Sequence, residues 1–249
     1  MGHNTAISWT QATRNLVMGC RKVDTDPLTG ACVNCYIYRN MPQYGMNPDV
    51  LTYMNLEKAK SDLRAWKDVR LIFLNDYSDT FHEDIPFKTI LRWHREIIEA
   101  NPDKEFQLLT KRIGRAMMFY RKYYTVVPRN IWIGTTIGAR NRLFRLKQLV
   151  EISAKIRWVS FEPLLEDLGE FSLKGIQWAV VGGESGHNPR PMRAEWAENI
   201  RRIAERDGVA FYFKQLGGEG GNGAGGNLLE GREYMEMPSQ VQGVGQMRL

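Results

Sequence analysis

The chain contains three cysteines, Cys20, Cys32 and Cys35, and all fall within sixteen residues. Three thiols on one loop are one short of the four ligands that a closed zinc site takes. They suit a cubane iron–sulfur cluster with one open iron, because a cubane normally binds four thiolates and a three-thiolate loop leaves a coordination position for another molecule. An exchangeable iron implies catalysis in place of simple electron storage. Two other readings of the same residues stay open. One is structural zinc, although His3, His82, His94 and His187 have no finger-type spacing to the cysteines. The other is a disulfide with a spare thiol, in a chain that shows neither a secretory leader nor an even cysteine framework.

Such a loop needs elements to hold it. Six short apolar runs, at 70–74, 105–109, 130–134, 157–161, 178–182 and 209–213, are each followed by turn chemistry and a longer amphipathic segment. That alternation predicts an α/β fold with a parallel sheet, either barrel-like or open and doubly wound. Helices are expected over 86–100, 140–152 and 194–206, with apolar stripes that face the core. The glycine-rich stretch from 217 onward predicts a separate C-terminal extension over 217–249, a frayed end or a mobile lid, beyond a main domain of 1–216.

In parallel α/β folds, ligands bind where the carboxyl ends of the strands converge. Those ends are chemically loaded here: Asn75, Asp76 and Ser78, then Thr110, Lys111 and Arg112, Thr135 and Thr136, Ser160 and Glu162, Gly182-Gly183-Glu184, and Lys214 and Gln215. In the Gly-Gly-Glu turn, two glycines would let the backbone approach a ligand while the carboxylate fixes an amine or hydroxyl. A tight turn with a solvated Glu184 is the plainer alternative. Neither G-x-G-x-x-G after the first strand nor a G-x-x-x-x-G-K-[ST] loop is present, so nucleotide-phosphate loops are set aside.

The formal net charge is +6, which favours encounter with anionic partners such as nucleic acid. Basic residues crowd one stretch in the middle third of the chain, from Lys111 and Arg112 through Arg115, Arg121, Lys122, Arg140, Arg142 and Arg145 to Lys147. Phe119, Tyr120, Tyr123, Tyr124 and Phe144 interleave with them. This is the composition of a base-stacking face and equally of an amphipathic helix with snorkelling basic side chains. No apolar run is long enough for a membrane span. The start, Met1-Gly2-His3-Asn4-Thr5, lacks the features of a signal peptide, so a reducing cytoplasm is the expected compartment.

Taken together, Trp9-Thr10, Thr13-Arg14-Asn15, Gly19-Cys20, Cys32-Val33-Asn34-Cys35-Tyr36, Ser78-Asp79-Thr80-Phe81-His82, Leu109-Thr110-Lys111-Arg112, Ser160-Phe161-Glu162-Pro163-Leu164-Leu165, Val181-Gly182-Gly183-Glu184-Ser185-Gly186, Arg190-Pro191-Met192 and Phe213-Lys214-Gln215 resemble a phage-associated family of small proteins of unknown function related to radical S-adenosylmethionine enzymes. The resemblance spans about residues 7 to 218. It implies a partial (β/α)6 TIM-like barrel with a [4Fe–4S] cluster on Cys20, Cys32 and Cys35, an external electron donor, and S-adenosylmethionine chelating the open iron. One-electron cleavage would then give a 5′-deoxyadenosyl radical that abstracts hydrogen from substrate. Tyr36 would be the aromatic that follows the third cysteine. Asn75, Asp76 and Ser78 would lie near the methionine moiety, and Thr110, Lys111, Ser160 and Glu162 further along the cofactor cavity. Arg112, Glu184, Arg190, Lys214 and Gln215 would face substrate.

The chain departs from the pattern of radical enzymes in two places. Residues 21–31 form a long insert between the first two cysteines, and the Gly-Gly-Glu turn follows a late strand instead of the second. The leading expectation is hydrogen abstraction from a nucleobase or base-attached group in phage DNA hypermodification, with isomerase and lyase outcomes both open. The alternatives are a non-catalytic zinc-containing nucleic-acid-binding module and a radical enzyme acting on a small molecule.

Overall fold

The computed structural model describes residues 5–238. Residues 239–249 of the expected C-terminal extension, and His3 with the start of the chain, lie outside them. Seven parallel strands form one curled half-barrel sheet: β1 (Ala12–Arg14), β2 (Leu71–Leu74), β3 (Glu105–Thr110), β4 (Ile131–Thr136), β5 (Ile156–Phe161), β6 (Trp178–Gly182) and β7 (Ala210–Gln215), in that spatial order. The six expected strands are all present. β1 was not expected, because three residues containing Thr13 and Arg14 carry too little apolar signal. It is set by pairing with β2, Ala12 opposite Ile72 and Arg14 opposite Leu74.

Five helices cover the outer face: α1 (Leu56–Ala65), α2 (Phe87–Trp93), α3 (Ile113–Tyr123), α4 (Phe144–Val150) and α5 (Ala194–Asp207). α2 continues as a π-helical turn over His94–Glu99. Asn55 caps α1 by accepting from the Lys58 amide at 2.9 Å, which satisfies one of the orphan donors of a helix start. Among the described residues no helix is long and apolar enough to cross a membrane.

Side chains alternate across each strand, so two cores form. Outward residues such as Ile72, Phe106, Ile133, Val159, Val181 and Phe213 pack under the helices. Inward residues Phe73, Trp132, Trp158, Trp178 and Tyr212 fill the lower part of the half-barrel with Trp9, which reaches in from the N-terminal segment. Trp158 lies so close to β4 that a Cβ on Gly134 would stand 2.4 Å from its indole ring. The floor of the half-barrel is therefore packed solid, and the upper, C-terminal end is where polar side chains collect.

The C-terminal segment is not frayed over 217–238. Gly217 donates to Ala224 O and Leu216 to Gly226 O, both at 2.9 Å, and a small hairpin pairs Leu228–Leu229 with Arg232–Glu233. The chain then runs along β7: Phe213 N donates to Tyr234 O at 2.8 Å and Glu236 N to Phe211 O at 3.1 Å. The Trp178 indole donates to Glu236 O at 2.8 Å. Glycine here supplies the tight turns that bring the segment back, and the sheet edge is the partner that composition alone could not reveal.

Candidate functional site

The cysteine loop lies between β1 and α1 in sequence and is tied to distant elements by its backbone. Gly19 N donates to Tyr77 O at 3.0 Å and Cys20 N to Pro48 O at 2.8 Å. Ser78, just past β2, donates its hydroxyl to Gly19 O at 2.6 Å. The long insert is a folded strut. Asp26 takes the amides of Leu28 and Thr29 at 3.0 and 2.8 Å in a local turn, and Cys32 N donates to Asp24 O at 2.8 Å. The Asp24 carboxylate pairs with Arg142 and Arg145 of the β4–α4 region at 2.6 and 3.5 Å. Arg145 also donates to Thr136 O at 2.6 Å.

A second tie runs to the Gly-Gly-Glu turn. Glu184 is buried and accepts from Arg190 Nη2 at 2.5 Å and from Asn34 Nδ2, between the last two cysteines, at 2.9 Å. Arg190 in turn donates to Gly30 O at 3.0 Å. Burial opposes the Glu184 charge, but Arg190 and Asn34 hold its carboxyl below the usual range. Both Glu184 and Arg190 were expected to face substrate; the structure engages them with each other and with the cysteine loop. The glycines before Glu184 serve packing, since a Cβ on Gly183 would stand 1.9 Å from Leu216 O.

The third tie is Arg112. Its guanidinium bonds Asp79 at 3.1 Å, Glu83 at 2.7 Å and Arg21 O at 2.8 Å, and its Nη1 lies 3.6 Å from Cys20 Sγ. Asp79 also accepts from Thr110 Oγ1 at 2.7 Å and from the Lys111 amide at 3.1 Å. Burial pushes the Cys20 thiol up to about 12, with Asp79 adding to the effect and Arg112 opposing it; burial likewise raises Cys35. Lys111 stands in the field of all three cysteines. Burial works against its charge, and Cys32, Cys35 and Cys20 more than offset that. Among the described residues, no three His, Cys, Asp or Glu side chains converge closely enough to hold a single metal ion.

Of the three residues expected around a methionine ammonium, only Asp76 has a carboxylate to offer. Asn75 is buried with its Oδ1 on the Leu16 amide at 2.7 Å and its Nδ2 on Thr80 at 2.8 Å. Asp76 accepts from Asn15 Nδ2 at 2.6 Å, and the Tyr36 hydroxyl donates to its backbone carbonyl. Burial raises the Asp76 carboxyl to about 6. Thr110 is committed to Asp79 and to the Arg112 amide. Gln215 bridges Gly183 O at 3.0 Å and the Gly223 amide at 2.7 Å. Ser160, Glu162 and Lys214 gather elsewhere at the mouth, where Lys214 and Glu162 pair at 3.0 Å.

The basic, aromatic stretch of the chain resolves mainly as structure. Arg142 and Arg145 are spent on Asp24, Arg121 pairs with Glu151, and Arg115 lies over Phe87. Phe119 and Tyr120 are core residues, while Phe144 is exposed. Asp24, Asp79, Asn15 and Asn34 were not singled out from sequence as site residues. Their partners are distant in the chain, and no local spacing signals such pairs.

A family model described as Protein of unknown function (DUF5131) matches residues 4–238, and the chain belongs to that family. No curated protein and no solved structure matches the chain.

Proposed function

We propose that this family member is a radical S-adenosylmethionine enzyme that acts on a nucleobase or base-attached group. The observation that carries the proposal is a loop of three thiols held at the carboxyl ends of a parallel half-barrel sheet, where Arg112 beyond β3 lies 3.6 Å from Cys20 Sγ and Ser78 beyond β2 donates to Gly19 O at 2.6 Å. Three thiolates brought together on a partly buried loop would need nearby positive charge, and Lys111 with Arg112 would supply it. Three thiolate donors on one loop are one short of a closed zinc site, whereas a cubane can bind three and keep one iron open. The donor set therefore fits a cluster on Cys20, Cys32 and Cys35 better than the zinc module.

When bound, the cluster and S-adenosylmethionine would supply one-electron cleavage and hydrogen-atom abstraction. The chain's own residues position that chemistry. Asp76, just after β2, offers a carboxylate for the methionine ammonium, with Asn15 holding the carboxylate and Tyr36 the backbone carbonyl of the same residue. Asp24 and Glu184, through their arginines, hold the cysteine loop over the mouth. The packed tryptophan floor closes the opposite end to water.

Metal analysis of protein purified without oxygen tests the proposal. About four iron and four sulfide per chain are expected, with loss of both when any of the three cysteines is replaced by alanine. About one zinc per chain, or full iron content in Cys32→Ala, would overturn it.

A further inference from the structure

At the mouth of the half-barrel, Glu162 and Lys214 form a 3.0 Å ion pair, with 14% and 13% of their side chains exposed. The two come from the ends of β5 and β7, across β6. A Cβ on Gly182 would stand 2.9 Å from Glu162 Oε1, so glycine at that strand end leaves room for the carboxylate. Alternation along β7 puts Lys214 on the inner face with Tyr212, and the ladder to β6 shifts register at that point, between Phe213 and Gln215. Ser160 Oγ lies 3.4 Å from Glu162 Oε2.

Thr136 is the cross-strand neighbour of Ser160, on the face of β4 that also carries Trp132. It is fully buried, and its hydroxyl has no hydrogen-bond partner among the described residues. A buried hydroxyl left unpaired costs free energy, so it is itself a mark of a missing partner. Neighbouring strands are about 4.8 Å apart, which puts Thr136 one strand from Glu162, within the length of a nucleoside.

Charge balance limits what this site can take. The pair is neutral as it stands. A phosphate drawn to Lys214 would leave the Glu162 carboxylate buried beside it without compensation, and a lone ammonium drawn to Glu162 would do the same to Lys214. A net-neutral group with a hydrogen-bond donor beside an acceptor can instead donate to Glu162 and accept from Lys214 in two charge-assisted bonds. Nucleobase edges have that pattern, as in the amino group and neighbouring ring nitrogen N3 of cytosine.

Resting on the substrate class proposed above, we infer that Glu162, Lys214, Ser160 and Thr136 form a subsite for the neutral edge of a nucleobase and its sugar, and that phosphate is excluded from it. Lys214 thereby reads the base and does not attract the backbone. A zwitterionic amino acid head is the competing net-neutral ligand. It carries two full charges that must be stripped of water, which a neutral base edge does not.

Equilibrium binding to the full chain, purified without oxygen and without added S-adenosylmethionine, tests this with cytidine, inorganic phosphate and methionine as probes. Cytidine should bind, its affinity should change less than twofold when salt is raised, and neither phosphate nor methionine should displace it. Lys214→Met and Glu162→Gln should each weaken binding about tenfold or more. Thr136→Val should weaken it severalfold while leaving the protein equally or more heat-stable, a combination that a merely structural threonine would not give. Displacement by phosphate or methionine, or unchanged binding in both Thr136→Val and Lys214→Met, overturns the inference. Absent iron with intact cytidine binding would sink only the radical chemistry, whereas full iron with no cytidine binding would sink only the subsite.

Discussion

Asp24 has no exposed surface, and its carboxylate stands 2.6 Å from the guanidinium of Arg142, 118 residues further along the chain. The insert that separates Cys20 from Cys32 is thus clamped to the segment that follows β4, the middle strand of the sheet, and Cys32 inherits its position through the Asp24 carbonyl.

Replacing Asp24 by alanine leaves Arg145 buried without its carboxylate. Breaking a buried pair in this way costs roughly 3–5 kcal/mol, and the partial exposure of Arg142 places this case near the low end, about 3 kcal/mol. Denaturant melts should show that loss, and Cys32, now 6% exposed, should react faster with a thiol reagent in metal-free protein. Unchanged Cys32 reactivity would show that the clamp does not set the loop.

Asp76 makes an acid-side contribution. Its carboxyl ordinarily titrates at 3.8 and is raised by burial to about 6 in the folded chain. The folded state binds the proton more tightly, so this contribution is fully present below 3.8 and is lost as pH rises through about 6. Moving a titration by one pH unit corresponds to about 1.4 kcal/mol, and allowing for partial exposure the expected effect is about 1–2 kcal/mol. Asp76→Asn should remove it, which stability measurements from pH 3.5 to 7 would read directly.

His94 acts in the opposite sense. It is buried between Ile90 O at 2.9 Å and the Tyr120 hydroxyl at 3.0 Å, and burial lowers it from 6.5 to about 4. The unfolded chain binds the proton first, so stability is lost as pH falls from 6.5 through 4, by roughly 2–4 kcal/mol. Between pH 4 and 6 the two groups oppose each other. Asp76→Asn should therefore steepen the acid loss of stability, and a His94→Gln variant should flatten or reverse it; parallel profiles in both would contradict the pairing of causes.

Gly134→Ala tests the floor of the half-barrel. The new methyl would meet the Trp158 indole at 2.4 Å, and overpacking of this kind costs about 1–3 kcal/mol. A fall of several degrees in melting temperature is expected, with near-ultraviolet circular dichroism reporting altered tryptophan packing. An unshifted melt would mean that Trp158 moves aside freely.

Most of the main sheet was legible because six of its strands are compact apolar runs bounded by turn residues, and the one missed strand of that sheet is held by its neighbour and not by its own composition. Much less of the site could be read. Polar residues do sit at every expected strand end, but alternation sends neighbours to opposite faces. Lys111 stands in the field of the cysteines, whereas the Thr110 hydroxyl is committed to Asp79, the carboxylate that Arg112 also binds. Glu184 looked like a ligand residue and is bonded to Arg190 and Asn34, because a buried carboxylate is satisfied by whatever donors the tertiary fold delivers.

The segment that runs along β7 has a bearing on how the edge of the sheet meets other molecules. An open curled sheet ends in a row of unpaired amides and carbonyls, and such a row is a template for pairing between molecules. Here Tyr234 and Glu236 occupy part of it, Met235 bridges Tyr212, and Met237 packs beside the inner tryptophans. The segment that composition reads as a frayed end or a lid covers part of that row, so a chain cut at Gly217 would trade a closed flank for an adhesive one.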